Sequence, residues 1–381
     1  MKIFLVAGEV SGDVLGAQLI RALKKQRTDI EFSGVGGDLM TGAGMENLLH
    51  LSSLSIMGIW EVLGELRRLR DIVVSICQEV EKRQPDVVVT VDFPDFNFYL
   101  SKQLKKRGIY KGKIVHYVAP TVWAWRPGRA KKIAKFLDGL ICLFPFEPPY
   151  FKKHGLEAVY CGHPVIEEKL QPTSGAAFRK LHGIKDGTKT LGLFFGSRQK
   201  ELANLGEILK EAALMTAEQV QPLALIVPTL PHLEFEVLKL TENMPIPAYV
   251  TADPAKKWAA MQACDAAAAV SGTVGLELAY AGVPHVIAYK MSPLTGLIVK
   301  LLVKTKHAHL ANIMLKKTIV PELLQTQCTS ANIRTALVKL FKQPKAVEFQ
   351  KKAFSKLGKM LGENPSEKAA AFVLKVAGSS S

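Results

Sequence analysis

The stretch KIFLVAGEVSGDVLGAQLIRAL, residues 2–23, decides the fold. Its apolar run predicts a strand near 2–7. Gly8 and Gly12 follow this strand, and glycine permits both a tight turn and the close approach of a ligand to the backbone. A helix is predicted near 13–25, because its apolar side chains share one face: Val14, Leu15, Leu19, Ile20 and Leu23. Strand, tight turn and amphipathic helix form the repeating unit of a parallel α/β sheet.

The same alternation continues along the chain. In the first half, strands are predicted near 31–35, 86–91, 113–118 and 139–143, with helices near 57–82, 97–107 and 127–136. In the second half, strands are predicted near 190–195, 223–227, 247–250, 265–270 and 284–289, again with helical patterns between them. This pattern is typical of parallel sheets covered by helices on both faces. The C-terminal part is predicted to be helical from about 345 to 376, with a break at 364–366.

Residues 161–189 interrupt the alternation with Gly, Pro, Ser and charged residues, and we interpret them as a linker containing one short helix. A chain of 381 residues exceeds one ordinary domain. We therefore expect two Rossmann-like α/β domains that face each other across a cleft, followed by C-terminal helices. The expected boundaries are 1–165, 186–345 and 346–381, with the last part packing back on the first domain.

The composition indicates a folded protein that attracts anions. Hydrophobic residues make up 48% of the chain and charged residues 22%, while the net charge is +16. This charge predicts attraction to nucleic acid, anionic lipid headgroups or phosphorylated substrates. The five cysteines are odd in number and lack a zinc-site spacing, so buried thiols in a reducing cytosol are expected. No apolar run approaches the ~20 residues of a spanning helix, so any membrane contact should be peripheral.

The first turn, GEVSGD at residues 8–13, is not a dinucleotide-binding GxGxxG fingerprint. Gly8, Ser11 and Asp13 are candidate acceptor-site residues, because two glycines and two acids lie together at a strand-to-helix junction. Capping of the helix by Ser11 or Asp13 is the alternative interpretation.

The strand near 86–91 continues into DFPDFN, residues 92–97. Asp92 lies at the carboxyl end of a central strand, where parallel α/β sheets bind their ligands. Its carboxylate could accept the proton of a sugar hydroxyl as a glycosidic bond forms, which makes Asp92 the candidate catalytic base. Asp95 precedes the next helix and is interpreted as its N-cap.

The segment HYVAPTVWAWR, residues 116–126, also follows a strand. Trp123, Trp125 and Arg126 suit a sugar face, an acyl chain or a phosphate, whereas packing of one tryptophan in the core is the alternative. The basic residues that follow Arg126 are usually a solvated helix face.

In the second half, two strands end in loops suited to a pyrophosphate. One loop contains Arg198, whose guanidinium can bind phosphate oxygens through two N–H groups. The other is Ser271-Gly272-Thr273, which opens a helix whose free N–H groups and dipole favour anions. Glu277, about one helical turn further on, could bind the ribose hydroxyls. A capped helix with a surface glutamate is the alternative.

Residues 55–70 form an amphipathic helical pattern. Ile59, Trp60, Leu63 and Leu66 share its apolar face, and Arg67 and Arg68 lie at its end. Such a helix can lie in an anionic membrane surface, although a core-facing helix has a similar stripe.

Together these blocks resemble the lipid-A-disaccharide synthase family. The matching blocks occur in family order across residues 1 to about 325: VAGEVSGD (6–13), SIMGIWEVLGELRRL (55–69), PDVVVTVDFPDFN (85–97), HYVAPTVWAWR (116–126), FPFE (144–147), GSRQKE (196–201), SGTVGLE (271–277), and LVKT followed by HLAN (302–312).

The resemblance implies an inverting, metal-independent glycosyltransferase of the GT-B type that needs no cofactor. Its substrates would be UDP-2,3-diacylglucosamine and 2,3-diacylglucosamine 1-phosphate (lipid X), and its products the β-1,6 disaccharide 1-phosphate and UDP. It places Asp92 at the catalytic position, Arg198 and Glu277 in the UDP-sugar site, and Ser11 and Asn312 at further functional positions. Of these two, Asn312 is also assigned to the UDP-sugar site. The first domain would then face the acceptor and the membrane, and the second would bind the UDP-sugar.

The expected location is the cytoplasmic face of the inner membrane, on its anionic lipid surface, with no nucleic-acid partner and homodimer formation left open. Phe195 and Ala311 depart from the family pattern, which commonly has proline at both positions. Two alternative functions remain open. One is a related transferase with a lipid-linked acceptor, such as the enzyme that adds N-acetylglucosamine to the peptidoglycan precursor. The other is a basic nucleic-acid-binding protein, although no nucleic-acid module is recognisable.

Overall fold

A computed structural model describes residues 1–51, 62–168, 170–171, 173–291 and 305–378, with the backbone alone for 62–66. The chain divides into two compact units. Unit 1 comprises Met1–Glu167 with Met360–Ser381, and unit 2 comprises Glu168–Lys359. Each unit contains one parallel sheet, as the alternation of strands and helices predicts.

Unit 1 contains a sheet of seven strands in the order β3-β2-β1-β4-β5-β6-β7, and all neighbouring strands are parallel. The strands are β1 (Lys2–Ala7), β2 (Glu31–Gly36), β3 (Glu46–His50), β4 (Val87–Val91), β5 (Lys113–Tyr117), β6 (Gly139–Cys142) and β7 (Glu157–Tyr160). The chain leaves β1 towards β2 on one side and leaves β4 towards β5 on the other. The neighbours β1 and β4 therefore define the switch point of this sheet.

The helices of unit 1 are α1 (Val10–Gln26), α2 (Asp38–Gly42), α3 (Val62–Arg83), α4 (Pro94–Arg107), α5 (Arg129–Ile133), α6 (Pro148–Lys152) and, from the C-terminal part, α15 (Pro365–Gly378). One face of the sheet packs against α3, α4, α5 and α6 through a buried cluster that includes Phe4, Val88 and Ile114. On the other face, α1 and α15 contact each other and β4. Burial on both faces explains why β1 and β4 consist almost entirely of apolar residues.

Unit 2 contains a sheet of six strands in the order β10-β9-β8-β11-β12-β13, again entirely parallel. The strands are β8 (Lys189–Phe194), β9 (Leu223–Pro228), β10 (Ala248–Thr251), β11 (Ala266–Val270), β12 (His285–Tyr289) and β13 (Glu322–Leu324). Its switch point lies between β8 and β11. In β11, alternate residues face two separate cores, so Ala268 and Ala269 are both fully buried.

The helices of unit 2 are α7 (Ser174–Leu181), α8 (Gln199–Ala217), α9 (Glu234–Thr241), α10 (Lys257–Gln262), α11 (Thr273–Tyr280), α12 (Leu310–Leu315), α13 (Ser330–Lys342) and α14 (Pro344–Met360). Short 3-10 helices cover Pro164–Glu167, Pro231–Leu233, Pro254–Lys256 and Gln325–Gln327. The C-terminal helices divide between the units, whereas the sequence placed both with the first domain. Helix α14 belongs to unit 2 because Gln350 bonds to both the N–H (2.8 Å) and the C=O (3.0 Å) of His285 in β12.

The predicted strands and the C-terminal helical break are confirmed. The sequence missed β3, β7 and β13, which are short strands at sheet edges and partly exposed, so they lack a clear apolar run. The interpretation of Asp95 as an N-cap is wrong. Helix α4 begins at Pro94, and Asp95 instead lies in the first turn with its carboxylate 2.5 Å from Arg129. All five cysteines are buried and unpaired, and none of the described helices is long and apolar enough to cross a bilayer.

Candidate functional site

Two predicted site residues meet at the switch point of unit 1. Ser11 lies in the first turn of α1, directly after β1, and Asp92 lies in the loop after β4. The Ser11 hydroxyl donates a hydrogen bond of 2.8 Å to Oδ2 of Asp92. Gly8 lies between β1 and α1, and a Cβ atom at this position would be 2.3 Å from the Phe93 ring. Position 8 therefore needs glycine so that the Asp92–Phe93 segment can pack against the turn after β1.

The backbone at Asp92 is strained. Asp92 (φ +52°) and Phe93 (φ +44°) both adopt the left-handed region, which non-glycine residues rarely occupy. Their turn is held from two sides. The Asp92 N–H donates to the Tyr117 carbonyl at 2.9 Å, and Nδ2 of the fully buried Asn97 donates to the carbonyls of Asp92 (2.7 Å) and Val91 (3.2 Å). Strain of this kind persists where the surroundings fix it, commonly at functional sites.

Asp13 has a different place from Ser11. Its buried carboxylate accepts three backbone hydrogen bonds from the start of α2, from Gly37 (2.8 Å), Leu39 (3.0 Å) and Met40 (3.1 Å). Neither Ser11 nor Asp13 caps α1, since both lie inside that helix, so the capping interpretation is wrong. Asp13 instead fixes the loop after β2, which lies next to β1 in the sheet.

The tryptophan loop follows β5. The indole N–H of Trp123 donates to Oε1 of Glu147 at 3.1 Å, and its ring meets Phe146 edge-on at 5.2 Å. The other carboxylate oxygen of Glu147 accepts the N–H groups of Leu143 (3.1 Å) and Phe144 (3.0 Å). Glu147 is 2% exposed, and burial raises its pKa to about 7. Glu147 comes from the FPFE block, and sequence reasoning did not assign it a role.

Trp125 and Arg126 form the outer part of this loop. The guanidinium of Arg126 lies 4.3 Å from the centre of the Trp125 ring, and Arg126 itself has a φ of +50°. Arg126 is exposed, whereas Trp125 and Trp123 are half-buried. An aromatic surface and an exposed cation are thus side by side.

At the switch point of unit 2, the loop after β8 carries Gly196, Ser197 and Arg198. Gly196 has a φ of +95°, and a Cβ atom there would collide with the Glu201 side chain. The Ser197 N–H donates to Glu201 at 2.9 Å. Arg198 precedes α8 and is 74% exposed, with Glu201 3.7 Å away. Its guanidinium is therefore accessible to an anion. Phe195, one of the two departures from the family pattern, is buried.

The neighbouring loop after β11 is the Ser271-Gly272-Thr273 turn. Helix α11 begins at Thr273, and no side chain caps it at Gly272. The N–H groups of Thr273 and Val274 are therefore available to a ligand, whereas the Gly275 N–H donates to the Gly272 carbonyl at 3.3 Å. Glu277 lies in this helix, and Nζ of Lys257 is 2.6 Å from its Oε1. The sequence did not identify Lys257, which lies 20 residues away.

Asn312 is fully buried and uses its whole amide within the protein. Its Nδ2 donates to the Val320 carbonyl (2.8 Å) and to Glu322 (2.7 Å), while its Oδ1 accepts from Ile319 (2.8 Å) and Val320 (2.9 Å). An amide has two donors and two acceptor positions, so none is left for a ligand. In this arrangement Asn312 holds the segment before β13 and does not reach into a site. Ala311, the second departure, is buried beside it.

The segment held by Asn312 packs against α11. A Cβ atom at Gly275 would be 2.6 Å from Nε2 of His309. His309 Nδ1 accepts from the Ala311 N–H (3.0 Å), so its Nε2 carries the proton and donates to His285 Nε2 at 2.9 Å. His285 Nδ1 then donates to the Val283 carbonyl at 2.8 Å. Two buried, uncharged histidines thus support the helix that carries the predicted nucleotide turn.

The predicted membrane residues are mostly beyond the described part of the chain. Ile59 and Trp60 lie outside the described residues, as do the side chains of Leu63 and Leu66. Arg67 and Arg68 are exposed in the first turns of α3. Further along, α3 buries Val73, Cys77 and Val80 in the core of unit 1.

Two parallel α/β units, each with polar groups at its switch point, define the class of GT-B glycosyltransferases and related nucleotide-sugar enzymes. Solved structures agree with this class. UDP-GlcNAc 2-epimerase from Neisseria meningitidis bound to UDP-GlcNAc superimposes with a TM-score of 0.65, at 14% identity over 98% of this chain and 99% of that one. MurG of Acinetobacter baumannii does so with a TM-score of 0.59, at 13% identity over 98% and 99%. At these identities the likeness concerns the fold.

The family model described as lipid-A-disaccharide synthetase matches residues 3–376. The lipid-A-disaccharide synthase of Rhodospirillum centenum is 40% identical over 99% of this chain and 94% of its own length. The chain belongs to the lipid-A-disaccharide synthase family. It is a glycosyltransferase of lipid A biosynthesis, and the family's substrates are UDP-diacylglucosamine and lipid X. The expected activity is confirmed in preference to the two alternatives.

Proposed function

We propose that Asp92 is the base that activates the acceptor in this reaction. The observation that carries the proposal is its strained backbone at the switch point of unit 1, fixed by Asn97. Ser11 occupies Oδ2 of the carboxylate, and no hydrogen bond engages Oδ1 in the described part of the chain. Oδ1 is therefore the oxygen that would accept a proton. Removing that proton makes the hydroxyl a better nucleophile as the new bond forms.

In the proposed step, the 6-hydroxyl oxygen of lipid X attacks the anomeric carbon of the donor sugar. The hydroxyl proton passes to Asp92, and the bond between the anomeric carbon and the UDP oxygen breaks. Attack opposite to the leaving UDP inverts the anomeric centre and gives the β-1,6 linkage. The products are the disaccharide 1-phosphate and UDP, and the proton on Asp92 returns to solvent.

The unit 2 switch point is proposed to bind UDP. The first-turn N–H groups of α11, after Ser271-Gly272-Thr273, would donate to the pyrophosphate, and Arg198 would add a cation. Glu277 would accept the ribose hydroxyls, with Lys257 fixing the position of its carboxylate. Arg198 and the helix terminus provide the positive charge, so no metal or cofactor is assigned. Asn312 is proposed to position the segment before β13 and not to contact the ligand, because its amide makes all of its hydrogen bonds within the protein.

The tryptophan loop is proposed to bind the acceptor. Trp123 is fixed by Glu147, and Trp125 stacks with the exposed Arg126. A flat aromatic surface beside a cation suits a sugar or acyl chain that carries a phosphate. Asp13 would contribute indirectly, since it holds the loop after β2, which lies at the same carboxyl end of the sheet as the tryptophan loop.

Both substrates carry acyl chains, so the enzyme is proposed to work on the cytoplasmic face of the inner membrane. The 55–70 segment, whose Arg67 and Arg68 are exposed, is the proposed apolar wedge. Replacing Trp60, Leu63 and Leu66 with Ser should weaken binding to vesicles at every salt concentration. Unaltered vesicle binding by a folded variant would exclude this wedge. A homodimer, which the sequence leaves open, would appear as twice the chain mass in light scattering of the active enzyme.

The reaction is tested by mass spectrometry. UDP-2,3-diacylglucosamine and lipid X should yield UDP and the disaccharide 1-phosphate. A lipid-linked peptidoglycan precursor offered as acceptor should release no UDP above the water background. Turnover of that precursor at a comparable rate would contradict the proposed acceptor.

A further inference from the structure

One face of α14 carries a row of lysines around a single aromatic residue. Lys345, Phe349, Lys352, Lys356 and Lys359 are separated by four, three, four and three residues, which places them on the same side of the helix. All are exposed, and Phe349 is 44% exposed. The row spans about 21 Å along the axis. We call these five residues the α14 lysine face.

The charge of this face is not neutralised within the described part of the chain. Residues 334–359 contain eight lysines or arginines and a single acid, Glu348. In contrast to Lys375, Lys257 and Lys105, which lie near carboxylates, the lysines of the α14 face form no ion pair among the described residues. Lys317 adds a further cation at the centre, since its Nζ lies 5.2 Å from the Phe349 ring.

The opposite face of α14 holds the helix in place. Phe354 stacks on His285 at 5.3 Å, Leu357 is buried, and Gln350 is bonded to the β12 backbone. The fold therefore uses one side of α14 and leaves the lysine side to solvent. A row of cations that the fold does not use is available for an anionic partner.

We infer that the α14 lysine face is a docking surface for the anionic headgroups of a lipid bilayer. The inference rests on the proposed function, in which both substrates reside in a bilayer. Lysine suits this partner, because a compact charge on a flexible stem can follow headgroup phosphates that have no fixed arrangement. An aromatic ring among the lysines matches the interfacial level of a membrane, where amphipathic helices place such rings.

The test is sedimentation of the full chain with two kinds of vesicle, one of phosphatidylcholine alone and one of phosphatidylcholine mixed with the anionic lipid phosphatidylglycerol. The variant replaces Lys345, Lys352, Lys356 and Lys359 with Gln. The matched control replaces Lys180, Lys185, Lys189 and Lys239, which are also exposed and unpaired in the described part of unit 2. Both variants lose the same net charge, and thermal melting checks that both fold.

The α14 variant should bind anionic vesicles at least tenfold more weakly at low salt, and the control less than threefold more weakly. Equal losses in both variants would overturn the inference, because net charge would then suffice. Unchanged binding, or loss of duplex DNA binding without loss of vesicle binding, would also overturn it. Turnover in detergent-dispersed substrates separates the two proposals: it should be retained in both variants, and its absence in the unaltered enzyme would contradict the proposed function itself.

Discussion

The two switch points have the same topology and opposite chemistry. In unit 1, the strands β1 and β4 present a carboxylate on a strained turn of two non-glycine residues, Asp92 and Phe93. In unit 2, the strands β8 and β11 present an exposed guanidinium and an uncapped helix terminus, and the one left-handed residue there is Gly196. One site fixes a single side chain, whereas the other offers backbone donors and an accessible cation.

This difference reflects what each task requires. A base must hold one oxygen at a defined position, and its turn is therefore fixed by Asn97, Ser11 and the neighbouring strand. A pyrophosphate has many equivalent oxygens, so free N–H groups and an exposed arginine can bind it without strain. The comparison predicts that substitutions in unit 1 lower turnover and that those in unit 2 weaken binding.

The largest effect is expected for Asp92→Asn. Without a carboxylate to accept the proton, turnover should fall about 10²-fold or more, as measured by UDP release at saturating substrates. Asp95→Asn is the matched control, because Asp95 is 88% exposed and pairs with Arg129. Turnover of Asp92→Asn within a few-fold of the unaltered enzyme would remove Asp92 from the mechanism.

A smaller loss, about tenfold, is expected for Asn97→Ala. This change removes the two hydrogen bonds that fix the turn at Asp92, while the carboxylate itself remains. Ser101→Ala is the control, since it also removes a buried hydrogen bond in α4, from the Ser101 hydroxyl to the Asn97 carbonyl at 2.7 Å. Both should lose roughly 1–3 kcal/mol of unfolding free energy. If Asn97→Ala and Ser101→Ala lost turnover equally, the loss would reflect reduced stability and not the position of Asp92.

In unit 2, Arg198→Ala and Lys257→Met should each raise the KM for the UDP-sugar about five- to tenfold, with kcat lowered less than threefold. Arg198 would no longer contact the pyrophosphate, and Glu277 would lose the cation that positions it. Initial rates at varied UDP-sugar concentration separate the two constants. Lys256→Met is a control, since Lys256 pairs with Asp253 instead. A fall in kcat with unchanged KM would break the comparison.

The smallest effect concerns pH. Burial lowers the pKa of His285 from 6.5 to about 4 and that of His309 well below its usual value. Between pH 6.5 and about 4 the unfolded chain therefore binds more protons than the folded one, so stability should fall as the pH falls. The melting temperature should decrease by a few degrees from pH 7 to pH 5. In His285→Asn this decrease should be smaller, and an equal slope would contradict the assignment.

The sequence predicted the sheets and the positions at their carboxyl ends, because apolar runs and polar strand termini are local patterns. Asp92, Ser11, Arg198 and Glu277 were predicted as site residues in this way. The sequence could not predict partners that meet only after folding. Asn97 holds Asp92 through a turn whose geometry is not visible in a motif, and Glu147 meets Trp123 from 24 residues away.

The same limit explains Asn312. Its place in a family block suggested contact with the UDP-sugar, but folding directs all four of its hydrogen bonds to Ile319, Val320 and Glu322. A motif identifies a residue as functional without distinguishing contact from support. That distinction depends on how many donors and acceptors remain free in the folded chain.

The division of roles between the two switch points is tested most directly by calorimetric titration of UDP into Asp92→Asn. The account predicts a Kd within about twofold of the unaltered enzyme, because nucleotide binding depends on unit 2. A Kd raised tenfold or more in a folded Asp92→Asn variant would place the nucleotide at the unit 1 switch point and contradict the account.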